Sequence, residues 1–97
     1  MSFEIRFTPE AEETYTLVVS QLRTRWGDRF VIKFENKVSK VFNAVSSTPY
    51  IYPTDKQFSS LRKCVLHKNC SLFYKVNNDH ILIVYFWDNR QDPLIGI

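Results

Sequence analysis

From Thr8 to Thr48 the apolar residues recur at every third or fourth position, and one glycine, Gly27, interrupts them. That period fits one face of an α-helix, and the break near its middle fits two helices in succession. Ala11, Tyr15, Val18, Val19, Leu22 and Trp26 form the first apolar face; Val31, Phe34, Val38, Val41, Phe42 and Val45 form the second. The boundaries carry their own chemistry. Thr8 suits the N-cap, Pro9 the first helical position, and Glu10, Glu12 and Glu13 the positive end of the dipole. Gly27 suits the position just past a helix C-terminus, Asp28 caps the next helix, and Ser46-Ser47-Thr48-Pro49 stops it.

Outside this stretch the period changes to two. Phe3, Ile5 and Phe7 alternate with Glu4 and Arg6, the pattern of a half-buried strand. Residues 49–59 carry two prolines and no periodicity, which predicts a loop pinned to the body by Tyr50, Tyr52 and Phe58. Three strands are then expected, Leu61 to His67, Cys70 to Asn77 and His80 to Trp87. They are joined by tight turns at Lys68-Asn69 and Asn78-Asp79, where Asn and Asp tolerate the left-handed backbone. The expected fold class is α+β, in the order β-α-α-β-β-β. Two helices pack on one face of a small, mostly antiparallel sheet, within one domain spanning residues 1–97.

Two-residue turns allow the sheet faces to be counted. Lys63 then stands opposite Tyr74, Val65 opposite Leu72, Tyr74 opposite Ile83 and Leu72 opposite Tyr85. One face carries Leu61, Lys63, Val65, His67, Leu72, Tyr74, Ile83, Tyr85 and Trp87. The other carries Arg62, Cys64, Leu66, Phe73, Leu82, Val84 and Phe86. The second set is drier and is expected under the helices, although one bulge exchanges the faces beyond it.

The net charge is +3, and it is unevenly spread: residues 1–55 hold seven Lys/Arg and seven Asp/Glu, residues 56–97 six and three. A cationic second half suits an anionic partner, or is a soluble surface with a chance excess. Arg29, Lys33, Lys37 and Lys40 form a separate stripe on the second helix, either a solvated face or an anion-contacting ridge. The opening MSFEIRFTPEAEE is acidic where a secretory leader is cationic and then apolar, and no apolar run approaches the ~20 residues of a membrane span. Cys64 and Cys70 form neither a CxxC pair nor a metal-ligand set, and read as small hydrophobes of a reducing compartment. The expectation is a cytoplasmic protein with no metal, small-molecule cofactor or membrane partner. No Ser/His/Asp set or glycine-rich phosphate loop is visible.

Taken in order, several segments resemble one family. The opening strand with Phe7-Thr8-Pro9-Glu10-Ala11-Glu12-Glu13, Trp26-Gly27 between two helices, the Thr48-Pro49 helix end, Leu61-Arg62-Lys63, Leu72-Phe73-Tyr74-Lys75-Val76, and Phe86 through Pro93 are similar to toxins of the RelE/ParE superfamily. The resemblance covers nearly the whole chain. It implies a RelE/ParE-like fold, a toxin of a type II toxin–antitoxin system, and a cognate antitoxin as partner. RelE-like members cut messenger RNA in the ribosomal A site, and ParE-like members inhibit DNA gyrase. The first reading makes ribosome and mRNA the partners and the chain a metal-independent endoribonuclease; the second makes gyrase the target. A third reading is a non-toxic, partner-binding module of the same fold.

RNA cleavage by 2′-hydroxyl attack needs a base, cations for the phosphate and a donor for the leaving oxygen. Arg62 matches the family's strand arginine and Arg90 that of its closing motif, with Lys63 and Tyr74 as neighbouring catalytic candidates. Lys56, Lys68 and Lys75 are candidates for nucleic-acid binding. The chain departs from the pattern at Asp88-Asn89-Arg90, where many members read His-Gly-Arg, and no Tyr or His follows Pro93. An obvious general acid or base is therefore missing. Each candidate also has a structural role to weigh: Arg62 and Arg90 as partners of Asp88 or Asp92, Tyr74 as a ring packed in a strand.

Overall fold

The computed structural model describes residues 2–68 and 70–88. Its elements run β1 (Glu4–Phe7), α1 (Pro9–Trp26), α2 (Asp28–Ser47), β2 (Arg62–His67), β3 (Cys70–Val76) and β4 (His80–Asp88). The helices form where the local signals place them, except that Asp28 is the first residue of α2 rather than its cap: Gly27 takes the cap position, with no side-chain hydrogen bond. Thr8 accepts a bond from the Ala11 amide at 2.9 Å, and Pro9 begins α1. Gly27 alone joins the helices at φ 86° and ψ 179°, a conformation that a side chain disfavours, and its amide closes α1 by donating to the Arg23 carbonyl.

The strand order is β1-β4-β3-β2, with β1 parallel to β4 and the other pairs antiparallel. Both helices lie on one face. Val18 and Leu22 of α1 and Val31, Phe34, Val38, Val41 and Val45 of α2 are buried against Cys64, Leu66, Leu72, Tyr74, Ile81, Ile83 and Phe86. Phe42 is only partly buried, its ring 5.6 Å from that of the exposed Phe7.

The counted faces are corrected by two bulges. The pairing begins as expected, with His67 opposite Cys70, but Leu66 is an extra residue, so Lys63 faces Phe73 rather than Tyr74, and Val65 faces Ser71 rather than Leu72. Leu66 enters the core while the His67 ring packs on Trp26 and Phe30, so consecutive residues both serve the helix side. Tyr74 does pair with Ile83, but Val84 is then extra and Leu72 faces Phe86 rather than Tyr85. Leu72, Tyr74 and Ile83 thereby join the helix-covered face, and Phe73 leaves it to pack on Tyr85.

The second bulge lies where β1 ends and α1 begins. The β1-side edge of β4 has no strand beside it there, and α1 supplies the partners. Thr8 donates its hydroxyl to the Val84 carbonyl at 2.6 Å, and the Phe86 amide donates to the Thr14 hydroxyl at 2.9 Å. Buried backbone groups are matched by side chains where the ladder is interrupted.

Candidate functional site

Between α2 and β2 the chain makes its long loop. Asp55 organises it by accepting the amides of Gln57 and Phe58 at 2.9 and 2.8 Å, and Thr54 forms an isolated bridge with Arg62. Two of the expected site residues hold this loop. Arg62, half-buried at the start of β2, donates from Nη1 to the Tyr52 carbonyl at 2.7 Å and lays its guanidinium 4.8 Å from the Tyr50 ring centre. Tyr74, its cross-strand partner, is fully buried and donates its hydroxyl to the Pro49 carbonyl at 2.8 Å. Burial pushes the Tyr74 hydroxyl above its ordinary pKa, against a backbone hydrogen bond from Tyr52 and the charge of Arg62, which lower it. Tyr52 is pushed further, to about 12, first by its hydrogen bond with Cys64 and then by burial. Of the three rings expected to pin the loop to the body, Tyr50 is 65% exposed, with the Arg62 guanidinium stacked on it.

Lys63 is separated from this pair by the strand's alternation. Its ammonium lies 5.7 Å from the Phe73 ring on the face away from the helices, at the head of a row of rings, Phe73 to Tyr85 at 4.9 Å and Tyr85 to Trp87 at 6.3 Å. Lys56 is exposed in the loop, Lys68 at the β2–β3 turn and Lys75 on β3. Lys75 stands about 17 Å along β3 from Cys70, the residue beside that turn, at ~3.4 Å per residue. Among the described residues the structure brings Arg62 and Tyr74 together, sets Lys63 on the opposite sheet face, and places Lys68 and Lys75 toward opposite ends of β3. Arg90 lies outside the described residues. The pairing of Arg62 with Asp88 or Asp92 gives way, for Arg62, to the loop contacts just described, and Asp92 also lies outside the described residues.

The chain matches the ParE toxin family of type II toxin–antitoxin systems over residues 5–93. It belongs to that family. Solved structures share the fold. The chromosomal ParDE system of P. aeruginosa superposes with TM-score 0.74 at 11% identity, covering 90% of this chain and 96% of that one. The DinJ–YafQ toxin–antitoxin complex of E. coli gives 0.63 at 12%, covering 93% and 96%. The RelBE2 complex of Mycobacterium tuberculosis gives 0.61 at 15%, covering 91% and 99%. No curated protein sequence matches significantly.

In this ParE-family toxin no helix among the described residues is long and apolar enough to cross a membrane. Sequence reasoning missed the ring row, because it placed Phe73 on the covered face. It also missed the cluster in which His67 lies 5.6 Å from Trp26 and 5.2 Å from Phe30. Trp26 and Phe30 flank the hairpin glycine in sequence, which marks one end of the fold; nothing local marks His67 as their neighbour.

Proposed function

We propose that this ParE-family toxin arrests growth by binding a protein target, DNA gyrase, rather than by cutting messenger RNA, and that a small acidic antitoxin encoded beside it neutralises it. One observation carries the reading: Tyr74, the candidate proton donor or base, is fully buried with its hydroxyl committed to the Pro49 carbonyl. A general acid or base must come within about 2.6–3.2 Å of the proton it moves, which this hydroxyl does not do from inside the core. Arg62 is likewise committed to the Tyr52 carbonyl and the Tyr50 ring. The sequence Asp88-Asn89-Arg90, without the histidine that many members of the resembling superfamily carry there, agrees with the same reading. So does the ParE family match. The antitoxin follows from the family and from its solved relatives, which include toxin–antitoxin complexes.

The second reading, ribosome-dependent mRNA cleavage, draws on the cationic surplus of residues 56–97, which includes the exposed Lys56, Lys68 and Lys75 together with Lys63 and Arg90. Induction of the toxin separates the two. Plasmid supercoiling should collapse before translation stops, cellular mRNA should stay intact, and the purified protein should inhibit gyrase supercoiling without ribosomes. Lys63→Ala should stay toxic. Cleavage of ribosome-bound mRNA that Lys63→Ala and Arg90→Ala abolish would overturn the gyrase reading. Co-expression of the neighbouring reading frame should restore growth and co-purify; a frame that does neither removes the antitoxin.

A further inference from the structure

Four aromatic rings meet around a cavity of about 410 Å³ between the two helices and strands β1 and β4. Phe7 of β1, Phe42 of α2, Tyr15 of α1 and Phe86 of β4 supply them in two pairs, Phe7 to Phe42 at 5.6 Å and Tyr15 to Phe86 at 5.0 Å. Ala11 and Val38, both buried, complete the apolar wall. Ala11 brings a single methyl to that wall, and the space is left open. Phe7 is 45% exposed, and Tyr15 and Phe42 are half-buried, so the protein does not cover these rings itself. The charge on the wall has one sign. Among the described residues Glu12 is the only charged group lining the cavity, and its carboxylate forms no ion pair. A second carboxylate, that of Glu35 on α2, exerts its charge on the Tyr15 hydroxyl. No Lys or Arg lines the cavity, in a chain of net charge +3. The cavities near Trp26 and beside β2 differ in this respect, with Arg25 on one wall and Lys33 and Lys37 on the other.

Aromatic walls with a carboxylate at the rim and no cation nearby are complementary to one kind of molecule. We infer that this cavity binds a small organic cation, an ammonium group carried on an aryl or alkyl body. The body is buried against Phe42, Phe86, Val38 and Ala11, while the ring quadrupoles and the Glu12 carboxylate attract the ammonium. An anion of the same shape meets the charges of Glu12 and Glu35 and is disfavoured. A neutral molecule gains the burial alone and nothing from the carboxylate. The volume lies within the ~300–1,000 Å³ of small-molecule sites, which are mostly apolar with a few placed polar groups. The site is independent of whether the toxin acts on gyrase or on messenger RNA, and it requires no antitoxin.

The test titrates the full-length protein with three probes that share one ring and differ in charge: 2-phenylethylammonium, 2-phenylethanol and phenylacetate. Backbone amide shifts in two-dimensional NMR report both affinity and place. The ammonium probe should saturate with a Kd of about 1 mM or tighter, moving the amides of Ala11, Glu12, Val38 and Phe42. The alcohol should bind at least about fivefold more weakly, and phenylacetate more weakly still. Salt should weaken the ammonium probe and leave the alcohol unchanged. Glu12→Gln removes the charge at an exposed position, and Phe42→Leu keeps an apolar side chain and removes the ring. Each should weaken the ammonium probe at least about threefold and bring its affinity closer to that of the alcohol. Thermal melts check that both variants are folded, and Glu12→Gln decides the matter alone if Phe42→Leu is not. Absence of saturable binding, shifts confined to other residues, equal affinity for the ammonium and the alcohol, or an unchanged Glu12→Gln each overturns the proposal. The capped peptide Ac-Leu-Lys-Leu-NH2, if it moves the same amides and binds more than about tenfold tighter than the ammonium probe, overturns it in favour of a protein segment.

Discussion

At Gly27 the chain passes from one helix to the next through a single residue with φ 86° and ψ 179°. A Cβ there would meet nothing within 4 Å, so the obstacle to a side chain is the backbone conformation itself. Gly27→Ala should therefore destabilise the protein by ~1–3 kcal/mol, the cost of a backbone region that only glycine visits freely. Urea unfolding measures it, and a midpoint equal to wild type would mean that the hairpin turns some other way. Tyr74 makes a different kind of residue-scale claim. Tyr74→Phe keeps the ring and removes the donor to the Pro49 carbonyl, which should cost ~1–3 kcal/mol and speed proteolytic cleavage within residues 50–60. Arg62→Ala should speed the same cleavage by freeing the Tyr52 carbonyl. Unchanged cleavage in both variants would show that neither residue holds the loop.

Among the elements, α1 and β4 are joined by more than apolar packing. Where β1 ends, the hydroxyls of Thr8 and Thr14 take the Val84 carbonyl and Phe86 amide that a neighbouring strand would otherwise pair. Thr14→Val preserves shape and removes the acceptor, leaving the Phe86 amide unmatched at a cost of ~1–3 kcal/mol. Thr16→Val is the control. Its hydroxyl is exposed and bonds only the Glu12 carbonyl one turn back, so the change should stay within ~0.5 kcal/mol. Equal effects of the two substitutions would remove the bulge contact from the account of stability. The helices themselves were legible in the sequence, because Thr8, Pro9 and Gly27 act on backbone within a few residues of themselves. The bulges at Leu66 and Val84 were not, because each answers to a distant element: Trp26 and Phe30 draw His67 inward, and α1 captures the interrupted edge of β4.

At the scale of the whole molecule, several thiols and phenols among the described residues hold their protons in buried or half-buried places. Burial leads the upward shift of Cys70, to about 12, and also raises Cys64, Tyr15, Tyr74 and Tyr85. These groups are neutral when protonated, so a raised folded pKa means that the folded state keeps protons the unfolded chain has already lost. Stability from this source is complete below the unfolded values and falls as pH rises through the folded ones. For Cys70 the window runs from its ordinary 9.0 to about 12. The unfolding free energy should accordingly be flat near neutrality and decline above about pH 9, and Cys70→Ala should flatten the start of that decline. Chemical denaturation from pH 7 to 11 measures it. A wild-type stability that rises above pH 9 would contradict the buried, protonated core.

What the sequence determined by itself is the kind of element at each place and the order in which elements follow. Caps, a proline, a glycine and turn residues act locally, and the family resemblance rests on that same order of segments. The tertiary structure decided which strand residues face the helices, and with them the fate of the candidate site. A period of two retains no trace of one inserted residue, so Leu66 and Val84 exchanged the faces without altering the pattern that predicted the strands. That exchange took Tyr74 from an open surface into the core, where its hydroxyl holds the loop. The ring-walled cavity beside Glu12 was decided at the same level, because Phe86 reaches Tyr15, and Phe7 reaches Phe42, only once both helices lie on the sheet.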